Sequence, residues 1–323
     1  MREGTSPLSE GAPWACAAGS MGAMSQPGPS SQPEPGVGKG RLTYGSYLRV
    51  PELLSLQQEL SSPAHHDELL FIVSHQVYEL WFKQMLHELR AIAEHLDGGR
   101  VTRASQLFER VHAVQSLLTA QIPVLETMFS VEFARFRDRL RPASGFQSVQ
   151  FRLLEFFSGR KNERMVTLVG DDDRAREQML AALAGPTLYD HLMRCLAGHG
   201  VAIPADVLGR DTRLAYAGDA RVAEALAPVY RDSHGRFDLF RLCEHFVEYD
   251  ERLAIWRFHH VQMVERMIGG MAGTGGSAGA RYLSTTLWGK LFPDLWAVRD
   301  RLADAGAQAA AEGGTGAGGR SGG

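Results

Sequence analysis

The sequence predicts an all-α fold, and three observations support that prediction. Two long stretches, residues 66–97 and 239–268, carry apolar side chains at intervals of three and four residues, the spacing of one helix face. Neither a strand–helix–strand alternation nor a Walker loop nor a GxSxG turn is present. Both ends of the chain have compositions typical of disorder, so the helical domain is expected within residues 41–302.

The two predicted tails differ in composition. Residues 1–40 are half Gly, Pro or Ser, and residues 303–323 are mostly Gly and Ala. Such segments bury too little apolar surface to offset the entropy lost on ordering, so both are expected to be disordered.

Composition narrows the classes of partner. A formal net charge of −3 argues against nucleic acid or an acidic membrane surface as the main partner. No apolar run reaches the roughly 18 residues that a membrane span needs, and the N-terminus has no signal-peptide core. The three cysteines, Cys16, Cys195 and Cys243, are far apart and indicate free thiols in a reducing compartment. We therefore expect a cytoplasmic protein.

The domain begins with a short aromatic segment. Tyr44 and Tyr47 flank Gly45, and Pro51 opens a brief helical run. Tyrosines directly after a disordered tail act as anchors that pin the chain to the folded body, or they line a ligand site.

Residues 66–97 are predicted to form an amphipathic helix that ends at Asp97-Gly98-Gly99. His75 lies one turn after Phe71 and one turn before Glu79. A histidine in this position is either a core residue or a functional one, and the core interpretation is the commoner of the two.

The next helix, within residues 102–140, carries the pair Glu109-x-x-His112. This is the carboxylate–histidine spacing of helical di-iron proteins, but that architecture needs a second such pair. No second pair was identified, so a solvated helix face is the preferred interpretation, with a non-haem metal bundle as the alternative.

Four arginines at alternate positions follow, before Pro142 ends the helix. Most must face solvent because they spread around the helix: Arg135, Arg137, Arg139 and Arg141. One of them, turned inward, can clamp a carboxylate with two hydrogen bonds. A surface salt bridge is the competing interpretation.

The segment of about residues 170–235 is expected to be a small helical insertion without recognisable chemistry. Thr187-x-x-Asp190 resembles a capping box there. The final long helix follows, to Ile268, and stops at Gly269-Gly270. It carries His259 and His260, which point about 100° apart and cannot both face one site. A neutral imidazole on such an apolar face is a metal ligand or a satisfied core residue.

Taken together, four segments in this order resemble the tryptophan 2,3-dioxygenase family, from Leu42 to Leu302: LTYGSYL, FIVSHQVYELWFKQMLHEL, EFARFRDRLRPASGFQSVQFR and HHVQMVERMIGG with the following GTGGSAG. The resemblance implies an all-α, haem b-dependent homotetramer. The implied reaction inserts both atoms of O₂ across the indole C2–C3 bond of L-tryptophan and gives N-formyl-L-kynurenine. The alternative is a helical haem protein that binds or senses an indole-type ligand without turnover.

The resemblance also implies roles for two histidines. His260, directly before Val261, matches the proximal haem-iron ligand, and His259 is an extra histidine at a variable position. His75 matches the catalytic histidine that meets the indole N–H, and Phe71 packs on the indole.

Further roles implied by the resemblance concern the amino-acid end of the substrate and the haem edge. Arg137 matches the arginine that binds the carboxylate, with Phe133 one turn before it. Thr274 joins in holding the amino-acid end, and Ser144 lies at the haem edge.

The resemblance also assigns the aromatic segment at the start of the domain. Tyr44, Tyr47 and Leu48 match residues that reach into a neighbouring subunit's pocket.

Overall fold

The structure is a computed structural model that describes residues 41–271, 273–274, 283–284 and 287–314. Every regular element among these residues is helical, so the all-α prediction is confirmed there. The helices are α1 (Tyr44–Leu48), α2 (Val50–Leu53), α3 (His66–Asp97), α4 (Val101–Glu126), α5 (Ser130–Phe136), α6 (Val149–Phe157), α7 (Asp173–Ala184), α8 (Leu188–Gly198), α9 (Ala205–Leu208), α10 (Ala220–Arg231), α11 (Phe237–Ile268) and α12 (Pro293–Gly314), with 3₁₀ helices at Arg137–Leu140, Gly145–Gln147 and Glu163–Val169.

The chain divides after Leu53 into two units. In the first unit, Thr43 and Ser46 form a capping box that starts α1. Tyr44, Tyr47 and Leu48 are all exposed. Among the described residues of this unit, 41–53, none buries the two tyrosines that the sequence marked as anchors, or Leu48.

In the second unit, α3 and α4 form an antiparallel helical hairpin because only residues 98–100 join them. Tyr78 donates a hydrogen bond from its hydroxyl to the Leu118 carbonyl at 2.9 Å. Gln121 donates from its amide to the Ser74 carbonyl at 2.7 Å. Between these two hydrogen bonds the residue number increases on α4 and decreases on α3, as antiparallel packing requires.

The long helix α11 packs along α4 in the same direction. Arg241 contacts Glu109, Gln115 donates to the Tyr249 carbonyl at 2.9 Å, and Arg252 donates to the Ser116 hydroxyl at 2.7 Å. These partners lie 132–136 residues apart in the sequence. α11 is therefore attached to the hairpin by contacts of very long range.

One prediction about α4 is wrong. His112 does not lie on a solvated face but is 3% exposed, packed against α11. Its neighbour across the interface is His245, three residues before Glu248. This His-x-x-Glu pair is the second pair that the sequence reading missed, because its order is the reverse of Glu109-x-x-His112. Glu109 itself is exposed, as predicted.

Residues 170–235 contain four helices, α7 to α10, and α10 packs on α12. The capping box at Thr187 is confirmed: its hydroxyl accepts from the Asp190 backbone N–H, and Asp190 accepts in return. Asp294 of α12 accepts hydrogen bonds from the hydroxyls of Tyr189 and Tyr216, which ties this segment to the last helix. α12 continues to Gly314, into the segment that the composition predicted as a tail.

Two further expectations concern the cysteines and the membrane. Cys195 and Cys243 are free, as predicted, and the structure shows that both are buried; Cys16 lies outside the described residues. Within the described part of the chain, no helix combines the length and the apolar character that crossing a bilayer requires.

Candidate functional site

A cavity of about 620 Å³ opens beside α3, α5, α6 and α11. This volume lies in the range of small-molecule and cofactor sites. Aromatic side chains form much of its wall: Phe71, Tyr78, Phe82, Phe133, Phe146, Phe151 and Trp256. The predicted site residues of the second unit all line it: Phe71, His75, Phe133, Arg137, Ser144, His260 and Thr274. Tyr44, Tyr47 and Leu48 belong to the first unit, where they are exposed.

His260 projects from α11 into this cavity. Its ring stacks on the Trp256 indole, with the ring centroids 5.4 Å apart and the planes 13° from parallel. Burial, with a smaller contribution from the nearby His75, lowers the imidazole pKa to about 4. The ring is therefore neutral at neutral pH, the form in which imidazole binds metals. The adjacent His259 is exposed, which fits the 100° between successive helical side chains.

His75 faces the same cavity from α3. Its Nδ1–H donates to the Phe71 carbonyl at 2.7 Å, one turn earlier. Because a carbonyl oxygen only accepts, Nδ1 carries the proton and Nε2 keeps its lone pair in the neutral ring. Desolvation lowers the pKa of His75, with smaller opposing effects from Phe71 and Glu79. The site thus offers one hydrogen-bond acceptor on a neutral imidazole.

An aromatic wall stands next to His75. The Phe71 and His75 ring centroids are 4.1 Å apart. Phe71 also stacks on Phe133 at 5.6 Å, and Phe133 meets Phe136 edge-on at 5.4 Å. The spacing of α5 explains this arrangement, since positions 133 and 136 lie on one helix face. The wall is an apolar surface of packed rings, with the His75 imidazole at its edge.

Arg137 is the one arginine of its run that turns inward. It is 7% exposed, whereas the side chains of Arg135 and Arg141 are 66% and 53% exposed and Arg139 is exposed too. It begins the 3₁₀ helix Arg137–Leu140, directly after α5 ends, and its Nη1 lies 3.4 Å from the Met271 sulfur. A buried guanidinium that lines a cavity offers a fork of donors to an anionic ligand.

Two loops meet at the cavity, and both come from glycine-containing motifs noted in the sequence. Thr274 donates from its hydroxyl to the Ala143 carbonyl at 2.6 Å, which joins the segment after α11 to the Ala143–Gly145 turn. Ser144 caps the 3₁₀ helix Gly145–Gln147 in a capping box with Gln147. The hydrogen bond therefore holds the hydroxyls of Ser144 and Thr274 at one part of the wall.

The sequence reading missed a basic part of the wall. Five more cations line the cavity: Arg152, Arg160, Lys161, Arg257 and Lys290. With Arg137 that makes six cations against two carboxylates, those of Glu79 and Glu155, among the described lining residues. The excess positive charge suits anionic ligand groups. One signal for it was readable, an arginine inside the apolar run QFRLLEFF.

Arg152 carries one buried donor of this wall that has no partner among the described residues. It is 7% exposed and its Nη1 lies 2.5 Å from the Glu155 carboxylate, which also accepts from Arg257 at 3.3 Å. Its Nε is buried and has no hydrogen-bond partner among the described residues. Since buried donors are almost always paired, this atom points to a ligand group that completes the wall.

Comparisons with known proteins agree on one family. The family model described as tryptophan 2,3-dioxygenase matches residues 30–194 and 205–302. The tryptophan 2,3-dioxygenase of Anaeromyxobacter dehalogenans (strain 2CP-C) is 47% identical over 269 residues, which cover 83% of this chain and 99% of that protein. The protein of the same name from Xanthomonas euvesicatoria pv. vesicatoria (strain 85-10) is 42% identical over 82% of this chain and 90% of its own length.

Proposed function

The chain belongs to the tryptophan 2,3-dioxygenase family and catalyses the dioxygenation of tryptophan, and we propose that it does so with bound haem b. The reaction inserts both atoms of O₂ across the indole C2–C3 bond of L-tryptophan to give N-formyl-L-kynurenine, the first step of the kynurenine pathway. The observation that carries this proposal is the meeting of His75, His260 and the buried Arg137 at one cavity.

The residues of the cavity fit a haem. His260 would hold the iron with a neutral imidazole whose plane the Trp256 stack orients. Two propionates and the substrate carboxylate make three negative charges, which the net excess of four cations (six minus two) in the lining can balance. The unpartnered Nε of Arg152 is a donor suited to such a carboxylate. When bound, the haem supplies the oxygen chemistry, and the protein supplies position and charge.

The substrate's indole fits the aromatic wall. The ring packs against Phe71 and Phe133, and its N–H donates to Nε2 of His75, which is the lone-pair nitrogen. His75 therefore orients the indole, and the apolar wall excludes water from the reacting carbon atoms.

The amino-acid end fits the polar part of the wall. Arg137 donates to the carboxylate of the substrate from a site shielded from water. The Thr274 hydroxyl donates its only proton to the Ala143 carbonyl. Its oxygen can therefore accept a hydrogen bond from the ammonium group of the substrate. Ser144 lies beside them at the haem edge.

We also propose a homotetramer in the cytoplasm, with the first unit of each chain reaching a neighbour's pocket. The exposure of Tyr44, Tyr47 and Leu48 supports it, because exposed aromatic anchors are typical of interfaces. Deletion of residues 1–40 should leave a tetramer by light scattering, with full activity. Deletion of residues 1–48 should loosen it and lower activity. Equal behaviour of the two deletions would remove the support for a shared pocket.

The activity is tested directly with ¹⁸O₂. The purified, haem-loaded chain is incubated with L-tryptophan under ¹⁸O₂, and the product is analysed by mass spectrometry. We expect tryptophan plus two labelled oxygen atoms, and none in the anaerobic control. A chain that binds haem and tryptophan but forms no such product would be the ligand-binding alternative instead.

A further inference from the structure

A second histidine cluster lies between α4 and α11, and none of its members lines the cavity. His112 comes from α4, and His245 and Glu248 come from α11. One nitrogen of each histidine and one carboxylate oxygen all lie within 4.8 Å of one another. His112 Nε2 is 3.1 Å from His245 Nδ1 and 3.5 Å from Glu248 Oε2. Both histidines are buried, whereas Glu248 is one-third exposed.

The side-chain amide of Gln115 determines which nitrogen of His112 carries the proton. The Gln115 amide donates from Nε2 to the Tyr249 carbonyl at 2.9 Å, which fixes the amide so that its Oε1 faces His112 Nδ1 at 3.3 Å. An amide oxygen accepts only, so Nδ1 must carry the proton. In the neutral ring, Nε2 then carries a lone pair that is directed at His245 and Glu248.

Neither placement of the proton on a neutral His245 gives hydrogen bonds at both of its nitrogens, because Glu109 lies 3.7 Å from Nε2, beyond hydrogen-bond distance. A proton on Nδ1 gives a hydrogen bond to His112 but leaves a lone pair at Nε2 facing the Glu109 carboxylate at 3.7 Å. A proton on Nε2 suits Glu109 but sets two lone pairs against each other at 3.1 Å. A cation between the imidazoles resolves the conflict, and the Glu248 carboxylate adds a third electron pair.

We propose that His112, His245 and Glu248 bind a divalent transition-metal cation, with zinc the best match, as a clip between α4 and α11. Zinc bonds of 2.0–2.1 Å in tetrahedral geometry put neighbouring ligand atoms about 3.3 Å apart. The distances of 3.1 and 3.5 Å are close to that edge length. Two imidazoles and one carboxylate form a known zinc donor set, and water fills the fourth position.

The surroundings of the cluster have the outer shell that metal sites need. Gln115 accepts from His112, and Glu109 faces the outer nitrogen of His245, so each ligand ring is oriented from behind. Arg252 donates twice to Glu248 Oε1, which leaves Oε2 for the ion. Phe108 stacks on both rings, at 5.7 Å from His112 and 5.6 Å from His245. The exposed edge at Glu248 gives the ion a path from solvent.

The clip acts on the fold rather than on the reaction. His245 and His260 are 15 residues apart on one helix, which is about 22 Å. An ion at this distance touches neither substrate nor haem. Its effect is to join α11 to the α3–α4 hairpin, so a metal that binds only the folded chain stabilises it by mass action.

Zinc binding to the tag-free, haem-loaded full chain tests the proposal. Zinc is counted by mass spectrometry after dialysis, and its affinity is measured by competition with a chromophoric chelator. We expect one zinc per chain and a higher melting temperature that a chelator removes. Glu248→Gln should weaken binding at least as much as the 10–100-fold that an outer-shell loss costs. Glu251→Gln, an exposed glutamate on the same helix, is the matched control and should bind like wild type.

Zinc-edge X-ray absorption gives an independent measurement that the haem iron does not affect. We expect nitrogen and oxygen neighbours at 2.0–2.1 Å with imidazole outer shells, and no sulfur at about 2.3 Å. Glu248 is partly exposed, so its variant should fold, and an unchanged haem spectrum verifies that. Zinc affinity equal in wild type and Glu248→Gln, or no stoichiometric zinc, would overturn the proposal and leave a hydrogen-bonded histidine pair.

Discussion

The two ends of α11 present the same residue in two different settings. His245 and His260 are both shielded by protein, both stack on an aromatic ring, and burial lowers the pKa of each to about 4. His245 has a second imidazole 3.1 Å from its inner nitrogen. His260 faces a cavity of about 620 Å³. Shielding and stacking do not distinguish the two histidines, but the space in front of the free nitrogen does. A close cage suits an ion, and an open cavity suits a large planar group.

The largest expected effect comes from removing the imidazole at the cavity. His260→Ala should purify without haem, because in the proposed site its imidazole is the group that would hold the iron. The absorption spectrum of the purified protein, read at the Soret band, measures the effect. Zinc content at the other end of α11 should not change, since about 22 Å separates the two sites.

His259→Ala is the matched control for this variant. His259 is exposed and points away from the cavity, so its removal should leave the haem bound. Haem that is lost from His259→Ala and kept in His260→Ala would reassign the ligand and undo the comparison between the two ends of the helix.

A large but partial effect is expected at the buried arginine. Arg137→Ala should raise the activation free energy that kcat/KM for L-tryptophan measures by about 2–5 kcal/mol. This is the cost of leaving a partner charge buried without its counter-charge. This is roughly a 30-fold to several-thousand-fold loss. Tryptamine has no carboxylate and should be affected far less. Arg135→Ala, on the exposed side of the same run, should change neither. Equal losses for both compounds would show that Arg137 does not bind the carboxylate.

The smallest of the three effects is expected at His75. His75→Ala should keep the Soret band, because its proposed role is to bind the substrate and not the iron. It leaves the indole N–H without a partner, which costs about 1–3 kcal/mol in kcat/KM. 1-Methyltryptophan lacks that N–H, so its turnover should be nearly the same in the variant and the wild type. Loss of haem in His75→Ala would contradict this assignment.

The sequence predicted the helices well where one apolar face is buried along most of the helix. The apolar spacing predicted α3 and α11 almost to the residue, and the angle between successive helical side chains separated His259 from His260. The helical pattern alone did not reveal the direction of Arg137, which only the family resemblance singled out. Four arginines at alternate positions look alike, and the change from α5 to a 3₁₀ helix at Arg137 decides which one turns inward.

The second histidine cluster shows a different limit of sequence reading. His112 and His245 meet because α4 and α11 pack in parallel, and no local pattern encodes the pairing of residues 133 positions apart. The reversed spacing His245-x-x-Glu248 was visible, but only the helix pairing gives it meaning. The same holds for Arg152, Arg257 and Lys290, which reach one cavity from separate parts of the chain.

The parallel packing of α4 and α11 also dictates the order in which a newly made chain assembles. The α3–α4 hairpin closes through residues 98–100 and needs only neighbouring sequence, so it can form early in synthesis. The contacts with α11 close loops of 132–136 residues, and the entropy of such loops delays them. We therefore expect His75 to take its place on the hairpin before α11, with His260, docks. With haem held by His260 as proposed, its capture is expected to be a late event, and a chain interrupted before α11 should not hold the cofactor.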